Sequence, residues 1–312
     1  MYFLAVILGG AALAPWLYDL GQWYVAHAAS HGWDTMPVLG GLAAEAEKAD
    51  FQRYFNRAVL VCALAMLWPA ARVLRPGKGE IPGLRPRPGD LRDALAGFIL
   101  AGGMLLAMGW YLLSAGVFKW NPKADWTSVM AAAITAAIAV AIIEEWLFRG
   151  AFTAIVGRAL TGRTTWVVIA LMFAVLHFME PPEHLRIPDD AVNAATGFQL
   201  AGMMLGRLIS PSTFAEGFLN LLVVGLLLGW ARLATGGLWL GIGLHAGWVL
   251  ALKGFSGVTR RARDAEDILG THWIGKDLRT GLLPLVFLLA SAGLLALYLH
   301  WRKSRAEGVT AP

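Results

Sequence analysis

The chain has 312 residues, 57% of them apolar or aromatic and only 15% charged, where a soluble domain carries about a quarter charged. That balance excludes a soluble enzyme and a disordered chain. A disulfide scaffold is excluded too, because Cys62 is the only cysteine. The net charge of +5 serves topology and contact with anionic lipid in a membrane protein, rather than nucleic acid.

A helix needs about 20 mostly apolar residues to cross the hydrocarbon layer. In chain order, eight segments meet or approach that length: residues 2–20, 58–74, 94–117, 129–148, 164–179, 214–233, 238–252 and 282–301. The expected fold is an all-α polytopic membrane helix bundle of about eight transmembrane helices. The first segment lacks the basic start and cleavage site of a signal peptide and reads as a retained helix. Residues 22–51 are mixed in character, with Glu45, Glu47, Lys48 and Asp50 near their end, and are expected to lie along one surface.

The linker 75–92 holds Arg75, Lys78, Arg85, Arg87 and Arg92 among prolines and glycines. A basic loop of this kind belongs on the cytoplasmic side, which puts both ends of an eight-span chain inside. Residues 180–212 open with the turn-rich EPPEHLRIPDD and continue through AVNAATGFQLAGMMLGRLIS, apolar enough for a re-entrant or interfacial helix. Three parts follow: N-terminal helices and loops (1–126), a helical core carrying the polar motifs (127–252), and a polar loop with a final helix (253–312).

Ionisable residues within a span are costly, about 2.5–3.5 kcal/mol each at a helix centre on insertion scales. AIAVAIIEEWLFRGAF holds three: Glu144, Glu145 and Arg149. The carboxylates stand about 22 Å along their helix from Val129, inside the apolar layer near one face. Glu145 and Arg149 are four apart with the acid first, the favourable order for an ion pair. Glu144 points about 100° away on the helical wheel and has Phe148 as its i+4 neighbour, so its partner must come from another helix. Two spans offer one. His177 lies one turn after Phe173 in LMFAVLHF, and His245 sits in GLWLGIGLHAGWVLA among glycines four apart, Gly237 with Gly241 and Gly243 with Gly247. Small residues at that spacing let helix backbones approach closely. Three unpaired polar groups on three helices point to one shared pocket.

This ordered set, Glu144-Glu145-x-x-x-Arg149, then Phe173-x-x-x-His177, then His245, resembles the motif series of the CAAX protease and bacteriocin-processing family of glutamic intramembrane endopeptidases. The likeness covers about residues 129–250. It implies Glu144 as the base that activates water, His177 beside it and His245 as donor to the oxyanion, with Glu145, Arg149 and Phe173 in support. It implies no cofactor, and as partners a membrane-associated protein or peptide substrate and the lipid bilayer, with no nucleic acid. One position departs from the pattern: the family usually has Asn or Asp four residues after the last histidine, where this chain has Val249. Asn220, on the sixth span, is the candidate replacement donor, with a helix-packing amide as its alternative role. The Ala, Gly, Leu and Arg content fits a bacterial inner membrane.

Rival signatures are incomplete. Gly254-Phe255-Ser256-Gly257 fits the G-x-S-G of rhomboid serine proteases, but VTRRARDAED follows where those proteins have a membrane helix. Tyr18-Asp19 lacks the second G-x-G-D of aspartyl intramembrane proteases, and H-E-x-x-H is absent. His27 and His31 read as a solvated loop. Two readings stay open beside metal-free hydrolysis. Glu144, His177 and His245 are also the ligand set of several catalytic zinc sites, and Val249 fits a scaffold or binding protein of the same fold.

Overall fold

In a computed structural model of the protein, the structure describes residues 2–74, 84–178, 187–208, 211–265, 268, 270, 273–275 and 277–309. The helices are α1 (Tyr2–Ala28), α2 (Pro37–Glu47), α3 (Phe51–Leu74), α4 (Asp90–Ser114), α5 (Trp126–Glu145), α6 (Thr153–Val156), α7 (Gly162–Phe178), α8 (Thr196–Leu208), α9 (Pro211–Thr235), α10 (Trp239–Val258) and α11 (Leu282–Val309). Most of each of the eight expected spans falls on one of these helices, and the protein is an all-α polytopic membrane bundle. Among the described residues five helices are long and apolar enough to cross a membrane: Leu4–Ala28, Asp90–Ser114, Trp126–Val156, Gly217–Thr235 and Leu282–Arg305. Gly162–His177 is a shorter apolar helix. The second and seventh expected spans lie in α3 and α10. Polar residues open α3, and His245, Lys253 and several glycines dilute α10.

One expectation is revised. Residues 22–28 do not lie along the surface; they continue α1, because no helix breaker follows Gln22 until Gly32. The surface stretch is therefore shorter and holds α2. The apolar part of residues 180–212 forms α8, whose 13 residues are too few to cross the membrane alone. The start of the turn-rich loop (179–186) and most of the basic linker (75–83) lie outside the described residues.

The chain divides into two compact units, residues 1–75 with 179–211, and 76–178 with 212–312. In the first, α1 packs along α3, with Tyr18 edge-on to both Phe51 and Tyr54. In the same unit α8 lies on α1, where Gly197 meets the Ala11 carbonyl.

The second unit is built around α10, which packs on α4 and α5. The seam with α4 is backbone on backbone: Gly97 meets Leu240 and Leu244, Gly243 meets the Ala94 carbonyl, and Gly247 meets the Phe98 carbonyl. A methyl group at 243 would collide with that carbonyl, so α4 and α10 would have to part. Gly243→Ala is expected to cost about 1–3 kcal/mol, the range for overpacking, read from thermal unfolding of the purified protein in detergent. A midpoint unchanged from the native protein would show that the seam yields freely.

Other devices fix the ends. Asp125 caps α5 by accepting from the backbone N–H groups of Thr127 and Ser128. Strand β1 (Phe118–Trp120) pairs antiparallel with β2 (Thr259–Arg261), joining the exits of α4 and α10 over a core of Met108, Leu112, Phe118, Phe255, Ile274 and Leu278. At the other end of α4, buried Asp93 accepts from Tyr298 Oη at 2.6 Å and Arg302 Nε at 3.0 Å, which docks α11.

Candidate active site

Glu144 and Glu145 occupy the last turn of α5, and the chain then passes without a break into a π-helical segment, Trp146–Phe152. Such segments occur mostly as single wide turns and often at functional sites. This one is buried from Leu147 through Phe152 and carries Arg149. Its exit is held by Thr153 Oγ1, which donates to the Phe148 carbonyl at 2.8 Å.

Arg149 is a buried junction. Its Nη1 donates to Glu145 Oε1 at 3.0 Å, and its Nη2 donates to the Gly225 carbonyl of α9 at 3.2 Å. The guanidinium stacks over the Phe173 ring of α7, 4.5 Å from the centroid. The Arg149 carbonyl accepts from Arg232 Nε at 3.3 Å. A charge this deep is tolerated only when paired and hydrogen-bonded, and here three elements supply the partners.

Around this junction the two histidines converge. His177 Nε2 lies 3.1 Å from Glu144 Oε2, and its Nδ1 lies 2.9 Å from the Phe173 carbonyl one turn back. His245 Nε2 lies 3.8 Å from the same Glu144 oxygen, and its Nδ1 lies 3.1 Å from Glu145 Oε1. The Phe173 ring packs against both imidazoles, with centroids 4.0 Å from His177 and 5.9 Å from His245. Side-chain exposure separates the carboxylates: Glu144 keeps 25% and His177 24%, whereas Glu145 keeps 1%. Glu144 is thus the more exposed of the two carboxylates.

All the residues named from the motif series meet here: Glu144, Glu145, Arg149, Phe173, His177 and His245. Asn220 does not join them. Its amide nitrogen donates to the Arg279 and Gly281 carbonyls at 2.8 and 3.0 Å, tying α9 to the turn before α11, the arrangement of a packing amide. Val249 stands one turn beyond His245 and is half-buried. The rival positions lie elsewhere. Ser256 is exposed in the last turn of α10. His27 is half-buried and stacks on Trp23, and His31 is exposed and stacks on Trp33.

Two contributors escaped sequence reasoning, and a third, Gly241, was read there only as a helix-packing glycine. The Gly225 carbonyl receives Arg149, and Gly225 itself lies against the Ala170 backbone. Trp166 Nε1 donates to the Leu226 carbonyl at 2.8 Å and clamps α7 to α9. Gly241 lies against Glu145, where a Cβ would stand 2.7 Å from Oε2. A signal existed for the first, since Gly225 and Gly229 are four apart as close-packing glycines are.

A buried Glu–Arg–His cluster drawn from several spans of an all-helical bundle defines an integral membrane protein with a polar centre inside its apolar core. Residues 126–251 match the family model described as type II CAAX prenyl endopeptidase Rce1-like, the family that the motif series resembles. The match begins at the first residue of α5 and ends within α10, so it contains every residue of the cluster. The likeness of this stretch points to a membrane-embedded protease. Comparison with curated proteins and with solved structures gives no match.

Proposed function

We propose that the protein is a glutamic intramembrane endopeptidase, resident in a bacterial inner membrane, that hydrolyses a peptide bond near the membrane-associated C-terminal segment of another protein. The observation that carries this reading is the Glu144 carboxylate, a quarter exposed and faced by Nε2 of two imidazoles at 3.1 and 3.8 Å. Glu144 takes a proton from water as the water oxygen bonds to the scissile carbonyl carbon. The carbonyl oxygen becomes an oxyanion that accepts from His245. The proton then passes to the amide nitrogen, and the C–N bond breaks. A placed base contributes about 10²–10⁴ in rate and one oxyanion donor about 10²–10³. Valine at 249 donates nothing, so His245 serves the oxyanion without the second donor usual at that position.

The test compares C-terminal peptides of membrane proteins in cells carrying the native chain, Glu144→Ala, or neither. New termini with the native chain alone are expected, and the cleavage should persist when purified protein is treated with a strong chelator. Identical termini in all three would favour the scaffold reading. Cleavage abolished by chelator and restored by zinc would move the same residues into a metal site.

A further inference from the structure

The partners of the two imidazoles decide where their protons sit. Glu145 Oε1 already accepts from the Arg149 guanidinium, and a carboxylate so paired has only lone pairs to offer. His245 Nδ1, 3.1 Å from the same oxygen, must therefore carry the hydrogen. A neutral imidazole has one N–H, so His245 Nε2 turns a lone pair towards Glu144. His177 is held alike, because its Nδ1 faces the Phe173 carbonyl, which can only accept. Glu144 Oε2 is itself buried and receives no aligned hydrogen bond among the described residues. Three acceptors thus face one another, an arrangement suited to a small donor such as water, whose two hydrogens can serve two of them at a time.

From this geometry we infer that Glu145 is a positioning residue for His245, holding its proton on Nδ1 so that Nε2 enters the reaction as an acceptor and becomes the oxyanion donor only after taking a proton. The inference rests on the reading of Glu144 as the base. When water attacks, its proton passes through Glu144 to His245 Nε2. The imidazolium so formed is stabilised by Glu145 and donates Nε2–H to the oxyanion. As the C–N bond breaks, that proton goes to the leaving nitrogen, and His245 returns to its starting form. Arg149 is the counter-ion that keeps Glu145 an acceptor throughout. Gly241 leaves the space that Glu145 Oε2 occupies.

The test is nitrogen NMR of the full chain in detergent, with ¹⁵N-labelled histidine at neutral to mildly alkaline pH and His177→Gln and His245→Gln for assignment. The native protein should show His245 protonated at Nδ1 and bare at Nε2. Glu145→Gln alone leaves an amide oxygen able to accept, and it could also unfold the protein. The informative variant is Glu145→Met combined with Arg149→Met, which removes both charges at similar volume, a replacement that buried ion pairs often tolerate. In it His245 should lose its fixed Nδ1–H while His177 keeps its own, and kcat for peptide cleavage should fall on the order of 10²-fold or more with KM little changed. A native His245 protonated at Nε2, or a His245 signal identical in the double variant, would overturn the inference. The NMR result needs no substrate. If the tautomer is as stated and no peptide is ever cleaved, the endopeptidase reading fails while the dyad stands.

Discussion

Glu144→Gln is expected to lower kcat for peptide cleavage by about 10³-fold or more while leaving KM within a few-fold of native, the pattern of a group used only in the transition state. The amide has the carboxylate's shape but cannot take a proton from water. Its NH₂ has two hydrogens to offer, and the two imidazoles facing position 144 present lone pairs there when neutral. The variant should therefore fold as well as the native protein or slightly better. The informative result is a pair of measurements on one preparation: an unfolding midpoint at or above native, and turnover lost. Turnover within threefold of native would remove Glu144 from the mechanism.

Arg149→Met is expected to act in the opposite sense, on the fold before the chemistry. Removing one partner of a buried ion pair leaves the other charged and unpaired, at a cost of about 3–5 kcal/mol. Glu145 would be that orphan, with His245 its remaining neighbour. The Gly225 carbonyl and the Phe173 ring would also lose their contact with the guanidinium. Adding Glu145→Met to the same chain should recover most of the loss, because neither charge then remains. Unfolding in detergent, run as a double-mutant cycle, measures this directly. A single variant within about 1 kcal/mol of native would mean that the pair contributes little to stability.

The site was legible in the sequence for a physical reason: inside a membrane an ionisable residue is conspicuous. Glu144, His177 and His245 stand out of apolar runs, and the Glu145–Arg149 spacing of four announced an ion pair that forms at 3.0 Å. Backbone participation stayed hidden. The spacing of Gly225 and Gly229 signals a close helix approach but not that the Gly225 carbonyl receives Arg149, and no residue type signals that the chain after Glu145 widens into a π turn. The contact of Glu145 with His245 spans 100 positions, and helical periodicity says nothing about pairing over such a distance. For Asn220 the residue type fitted two roles, and its partners near residue 280 come from a turn that the sequence does not fix. The continuation of α1 through Ala28 was missed because Gln22, Trp23 and Tyr24 resemble an interfacial segment, although nothing in them ends a helix.

The glycine seam has one more consequence. Helix α4 gives no side chain to the cluster, yet its backbone is the surface on which α10, and with it His245, comes to rest. The opposite face of α4 presents Leu91, Leu95, Ile99, Leu106 and Trp110, all at least half exposed, as a lipid-facing stripe does. A helix of fixed length tilts when the hydrocarbon around it thins or thickens. With glycine against carbonyl there is no pliant side chain at the seam to absorb such a tilt, so it would be passed to the backbone of α10 rather than taken up between the two helices.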